Sequence, residues 1–176
     1  MKKLKLEELG RISVEEFKEV NKLPVSIIMD NIRSAHNIGS VFRTADSFLI
    51  EKIYLCGITA TPPNKEIRKT ALGATESVDW EYVEDIHALI PRLKEEKYQI
   101  LSIEQVEGSL DMTDFSISPE QKYAIILGNE VEGVQQSVIN LSDACLEIPQ
   151  DGTKHSLNVS VCAGIVLWEF FKNLMN

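Results

Sequence analysis

Three polar stretches stand out in this chain of 176 residues because each opens directly behind an apolar run. Asn31, Arg33, His36 and Asn37 follow VSIIM; Gly128, Asn129, Glu130 and Gly133 follow YAIIL; Pro149 through Asn158 follow CLEI. Amide, guanidinium, carboxylate and hydroxyl groups at strand ends can bind a polar ligand, orient it and handle a proton. The third stretch brings Ser156 and Asn158 to the mouth of a strongly apolar helix. Exposed N–H groups at such a mouth can hold a polar ligand or an oxyanion, although a serine before a helix is in most proteins only its N-cap. No G-x-G-x-x-G, phosphate loop or nucleophile elbow occurs, so dinucleotide and nucleoside triphosphate binding find no support. His36, His87 and His155 are too scattered to suggest a metal. Cys56, Cys145 and Cys162 are isolated, odd in number and set in apolar surroundings, which reads as small core residues and not as a disulfide framework or a zinc site.

The elements that must hold these groups alternate between strand and helix. After a helical leader (Leu4 to Val20), Pro24 introduces VSIIM, a continuous apolar run suited to a buried parallel strand. Ile38, Val41, Phe42, Ala45 and Phe48 recur at helical spacing, which leaves Ser40, Arg43 and Ser47 off the core face. Strands are expected at Lys52 to Cys56, Ser77 to Tyr82, Gln99 to Ile103, Tyr123 to Leu127 and Cys145 to Ile148. A loop spans Thr59 to Lys65, a short helix ends near Gly73, and a further helix covers His87 to Lys97. In the last helix Leu157, Val159, Val161, Ile165, Val166, Trp168 and Phe170 are apolar around nearly the whole circumference, which predicts a buried helix. This alternation predicts an α/β fold with a parallel sheet covered on both faces.

Length fits one domain, with a leader over residues 1–22 and the remainder, 23–176, as the working unit. No run reaches the roughly 18 apolar residues of a membrane helix and no secretory signal is visible, so a cytoplasmic protein is expected. The formal charge of −9 argues against indiscriminate coating of nucleic acid. Residues 76–120 carry that whole excess, and the rest is balanced. Lys65, Arg68 and Lys69 cluster in the middle, where the plain alternative is a solvated surface.

Three blocks carry a family resemblance: NIRSAHNIGSVFRTAD (31–46), LGNEVEGV (127–134) and IPQDGTKHSLNVSV (148–161). In this order and at these separations they resemble the three motifs of the SpoU (TrmH-type) RNA 2′-O-ribose methyltransferases of the SPOUT superfamily, over residues 24 to 172. Gln150 departs from the methionine usual after Ile-Pro in that family. The resemblance implies a SPOUT methyltransferase fold whose C-terminal part forms a deep trefoil knot, against the general rule that chains are unknotted. It implies S-adenosylmethionine as cofactor, held by Ser102, Ile103, Leu127, Gly128, Asn129, Glu130, Ile148, Pro149, Ser156, Leu157 and Asn158. It further implies Arg43 as catalytic residue, Asn37 ordering the first loop, Glu130 supporting the network, Ser156 and Asn158 completing it, and a homodimer with the site at its interface.

The reaction implied is methylation of a ribose 2′-hydroxyl in structured RNA. The short leader favours tRNA over rRNA, and Arg33, His36, Lys65, Arg68 and Lys69 are the candidate RNA contacts. Rivals are a catalytically idle knotted RNA-binding protein, and a methyltransferase acting on a small molecule or protein. Since a guanidinium stays protonated in water, Arg43 is expected to bind phosphate and stabilise the forming alkoxide, with Ser156 or a phosphate oxygen relaying the proton.

Overall fold

A computed structural model describes residues 1–175; Asn176, the last residue of the expected working unit, lies outside them. Seven parallel strands form one sheet in the order β3-β2-β1-β6-β4-β7-β5. They are β1 (Leu23–Asp30), β2 (Ile50–Cys56), β3 (Trp80–Val83), β4 (Tyr98–Ile103), β5 (Leu110–Asp111), β6 (Lys122–Leu127) and β7 (Ala144–Glu147). The helices are α1 (Val14–Glu19), α2 (Ala35–Ser47), α3 (Lys65–Ala71), α4 (Ala74–Ser77), α5 (Ile86–Glu95), α6 (Gln136–Ile139) and α7 (Val159–Leu174).

The continuous apolar run at β1 is explained by burial on both sides, since successive side chains alternate between two cores. Val25, Ile27 and Met29 join the core built with α2, α3, α4 and α7, whereas Ile28 joins the one built with α5 and α6. β1 is central because β2 and β6 flank it, and β6 in turn carries β4 on its other edge. The chain therefore leaves β4, forms β5, returns to the gap between β1 and β4 as β6, then crosses β4 to make β7. This order brings the loops behind β1, β4, β6 and β7 to one end of the sheet, which is the end where ligands bind parallel sheets.

Several expectations from sequence change in detail. The leader is not one helix: a 3-10 turn at Leu6–Leu9 ends at Gly10 with φ +60°, and α1 starts afresh behind Ser13. The Ser13 hydroxyl accepts from Glu16 N (3.1 Å) and the Glu16 carboxylate accepts from Ser13 N (2.7 Å), a reciprocal cap that fixes the new start. Ser77 ends α4 with its hydroxyl on the Asp46 carboxylate, so the third strand begins only at Trp80. β5 and α6, too short to show a period, were not expected. The final helix is not buried all round: Val159, Ala163, Val166, Leu167 and Phe170 are buried, with Phe170 edge-on to Tyr123 at 5.0 Å. Val161, Ile165 and Trp168 are 52%, 40% and 51% exposed and form an apolar stripe on its outer side, while Leu157 lies ahead of the helix.

Candidate functional site

Beyond the ends of β4, β6 and β7 lies a cleft of about 480 Å³, within the range of roughly 300–1,000 Å³ common for small-ligand pockets. Its β6 wall is a tight loop fixed by backbone. Asn129 N donates to Gly133 O (3.0 Å) and Gly133 N to Asn129 O (2.9 Å), while Asn129 Oδ1 accepts from Val131 N (2.8 Å) and Glu132 N (3.2 Å). Glycine is needed at both ends of this turn. A Cβ on Gly128 would lie 2.3 Å from Val134 N, and one on Gly133, which sits at φ +69°, would run into the Glu104 carboxylate. Glu104 in turn accepts from Val134 N (2.8 Å) and Gln105 N (2.9 Å), tying the end of β4 to the loop.

The loop behind β1 is clamped to this wall. Asn129 Nδ2 donates to Asn31 O (2.7 Å), and the Glu130 carboxylate accepts from Arg33 N (2.8 Å), Ser34 N (3.0 Å) and Asn37 Nδ2 (3.0 Å). Burial opposes ionisation of Glu130, but these donors outweigh it and hold its pKa below the ordinary carboxylate value. Asn158 closes the circuit from α7: its Nδ2 donates to Asn37 Oδ1 (3.2 Å) and its Oδ1 accepts from Ser160 N (2.9 Å). The N-cap of α7 is thus Asn158, and Ser156 stands two residues ahead of it on the cleft wall. Three chain segments far apart in sequence meet in one amide–carboxylate network.

Of the residues expected around a cofactor, Ile103, Leu127, Gly128, Asn129, Glu130, Ile148, Ser156, Leu157 and Asn158 line the cleft. Ser102 and Pro149 do not. Ser102 is fully buried with its hydroxyl on Ser142 (2.7 Å), because alternation along β4 turns it away from the opening. The first charged group past β4 is the half-buried Glu104, which sequence reasoning passed over although it is the residue directly behind an apolar run. Gln150, His155 and Cys162 also line the cleft. Cys162 sits one helical turn past Asn158, which places both on one face. Burial, assisted by the negative charge of Glu104, pushes its thiol up to about 11. The lining contains Glu104, Glu130, Glu132 and Glu147 and, among the described residues, no lysine or arginine.

Arg43 is not in the cleft. It lies on the exposed side of α2 with no side-chain hydrogen bond or ion pair among the described residues. Arg33 and His36 are exposed at the start of the same segment, and Lys65, Arg68 and Lys69 are exposed on α3. The α3 cluster is partly neutralised, since Glu66 takes Lys69 Nζ (2.7 Å) and His36 Nε2 (2.9 Å). Those two partners hold the Glu66 carboxyl below its ordinary value, Lys69 first.

A sequence profile described as the SpoU rRNA methylase family matches residues 24–168. A protein of Borreliella burgdorferi named as an uncharacterized tRNA/rRNA methyltransferase is 32% identical over 148 residues, covering 84% of this chain and 64% of that protein. One of Staphylococcus haemolyticus, provisionally named a TrmH family tRNA/rRNA methyltransferase, is 26% identical over 159 residues, 90% of this chain and 63% of its own length. The chain therefore spans under two thirds of the length of these relatives. Among solved structures, the AdoMet-bound rRNA methyltransferase of Sinorhizobium meliloti superposes with a TM-score of 0.81 at 23% identity, over 91% of this chain and 61% of that one. The TrmH/SpoU tRNA modifying enzyme of A. aeolicus gives 0.80 at 24%, over 91% and 80%. At these identities the superpositions establish a shared fold.

Proposed function

Since the chain belongs to the SpoU rRNA methylase family, we propose that it methylates a ribose 2′-hydroxyl of structured RNA, tRNA first, with S-adenosylmethionine as donor. The observation that carries this reading is the cleft itself. Apolar Ile103, Leu127, Ile148 and Leu157 offer faces for an adenine, and Gly128 lines the same cleft between them. A wall with four carboxylates and no lysine or arginine suits a neutral or cationic nucleoside and repels a polyphosphate. The bound cofactor supplies an electrophilic methyl group.

The protein's part is to position a hydroxyl and remove a proton. Arg43 binds the phosphate beside the target ribose and stabilises the forming alkoxide, and Ser156 on the cleft wall relays the proton. Glu130, Asn37 and Asn158 keep α2, and with it Arg43, in fixed relation to the cleft. Because Arg43 stands outside the cleft of its own chain, the reading includes a homodimer in which α2 and the outer stripe of α7 face a second copy. It also includes the deep trefoil knot: the return of β6 between β1 and β4 and the packing of α7 behind it support such threading. Residues 23–176 form the catalytic unit, working in the cytoplasm. No described helix is long and apolar enough to cross a membrane.

tRNA comes before rRNA because a small pre-folded RNA asks for few phosphate contacts from a protein of charge −9. The test is transfer of labelled methyl to purified tRNA, to rRNA and to no RNA, with nuclease mapping of the product. Label at a ribose 2′-oxygen of tRNA supports the reading. Label only on rRNA replaces the substrate, and cofactor binding without any transfer leaves an idle RNA-binding protein in its place.

A further inference from the structure

Of the four carboxylates in the cleft, the reading above gives Glu104 no role of its own. Glu104 is half-buried at the end of β4, deeper than Glu132, which is exposed on the rim, and unlike Glu130 it does not face α2. Its carboxylate is fixed by Val134 N (2.8 Å) and Gln105 N (2.9 Å), donors that satisfy a negative charge without cancelling it. After burial, its charge is the further cause that raises the pKa of the thiols of Cys145, on the neighbouring strand β7, and of Cys162, on the α7 wall of the cleft. No lysine or arginine of the lining offsets it.

We propose that Glu104 is a specificity-determining residue of the cleft, selecting a cationic sulfonium nucleoside over the neutral thioether that remains after transfer. The inference rests on the cofactor reading above. Transfer moves the methyl from sulfur to the hydroxyl oxygen, the hydroxyl proton leaves, and the sulfur loses its positive charge. A fixed carboxylate in a half-open cleft attracts the charged ligand and is indifferent to the neutral one. Product therefore leaves more readily than fresh cofactor, and the acidic lining becomes a device for turnover and not an accident of composition.

Calorimetry on the full chain decides it, with S-adenosylmethionine, S-adenosylhomocysteine and sinefungin, which carries an ammonium in place of the sulfonium. The wild type binds the two cationic ligands roughly fivefold to tenfold more tightly than S-adenosylhomocysteine, the scale of one partly screened charge pair. Glu104→Gln keeps the shape and an acceptor for Val134 N and brings the three affinities together; Glu104→Asp keeps the preference. A merely structural role lowers all three affinities in parallel and leaves their ratio unchanged, which overturns the proposal. Salt gives a second measurement on the wild type, independent of whether any variant folds: from about 50 to about 500 mM, binding of the cationic ligands weakens selectively, and a uniform response overturns the proposal. Wild type binding none of the three would sink the cofactor reading itself, whereas equal binding of all three would sink only the role of Glu104.

Discussion

Glu130 concentrates three donors on one carboxylate, so its charge state is part of the clamp between α2 and the β6 loop. Its folded pKa lies below the ordinary value of 4.5. Its stabilisation is therefore fully present above about pH 4.5 and is lost as pH falls through the lower folded value. Glu130→Gln turns one acceptor into a donor facing backbone N–H groups, and the expected loss is about 1 kcal/mol at pH 7. Melting curves of both proteins should differ by a constant amount above about pH 5 and converge in acid; a gap that persists at low pH would falsify the charge argument. Arg43 makes the opposite case, a charge held by nothing among the described residues. Arg43→Ala should bind cofactor normally and lose methyl transfer by at least ~100-fold, the scale of removing one charge-stabilising donor. Substantial activity in that variant removes Arg43 from the chemistry. The polar residues behind three apolar runs made most of the cleft legible in the sequence. Glu104 carried the same signal behind β4 and was passed over, whereas Cys162 was not legible, because nothing local says that β4 ends beside α7.

At the scale of elements, two glycines set distances that no other residue permits. Gly39 lets α2 meet α3: a Cβ there would lie 2.3 Å from Ile67 O and 2.1 Å from Thr70 Oγ1. The threonine can rotate away but the backbone carbonyl cannot, so Gly39→Ala should cost about 1–3 kcal/mol in chemical denaturation. An unchanged midpoint would show that the helices slide apart freely. Gly128→Ala meets only backbone across the β6 turn, at 2.3 Å from Gly133 C and Val134 N. It should therefore deform the cleft wall and abolish cofactor binding, readable by calorimetry; a normal isotherm in a folded Gly128→Ala protein means that the cleft is not where the cofactor sits. Strands β1 and β6 were legible from apolar runs and α2 from its stripe, while β2, β4 and α5 were placed by the alternation of strand and helix. The divided leader was less so, since Gly10 and the Ser13–Glu16 cap outweigh a continuous charged pattern. The outer face of α7 misled for a different reason: the sequence counts apolar residues but does not say which of them the same chain covers.

The molecule as a whole is acidic and yet is proposed to act on RNA, a tension resolved by where its cations stand. Binding to phosphates depends on the groups engaged and the counterions they release, not on total charge. Lys65 and Arg68 are exposed at the start and middle of α3, and α3 packs across α2, the helix that carries Arg43. Lys69 contributes less, because Glu66 already holds it. A homodimer would present this surface twice. RNA affinity should therefore fall with rising salt despite the net charge of −9. Converting Lys65 and Arg68 together to Glu should raise the Michaelis constant for RNA and flatten the slope of log affinity against log salt by about one unit for each phosphate that is no longer neutralised. The cofactor isotherm should not move, since neither residue lines the cleft. If the double variant keeps both the slope and the Michaelis constant, α3 is a solvated surface, and the RNA path runs instead past Arg33 and His36 at the start of α2.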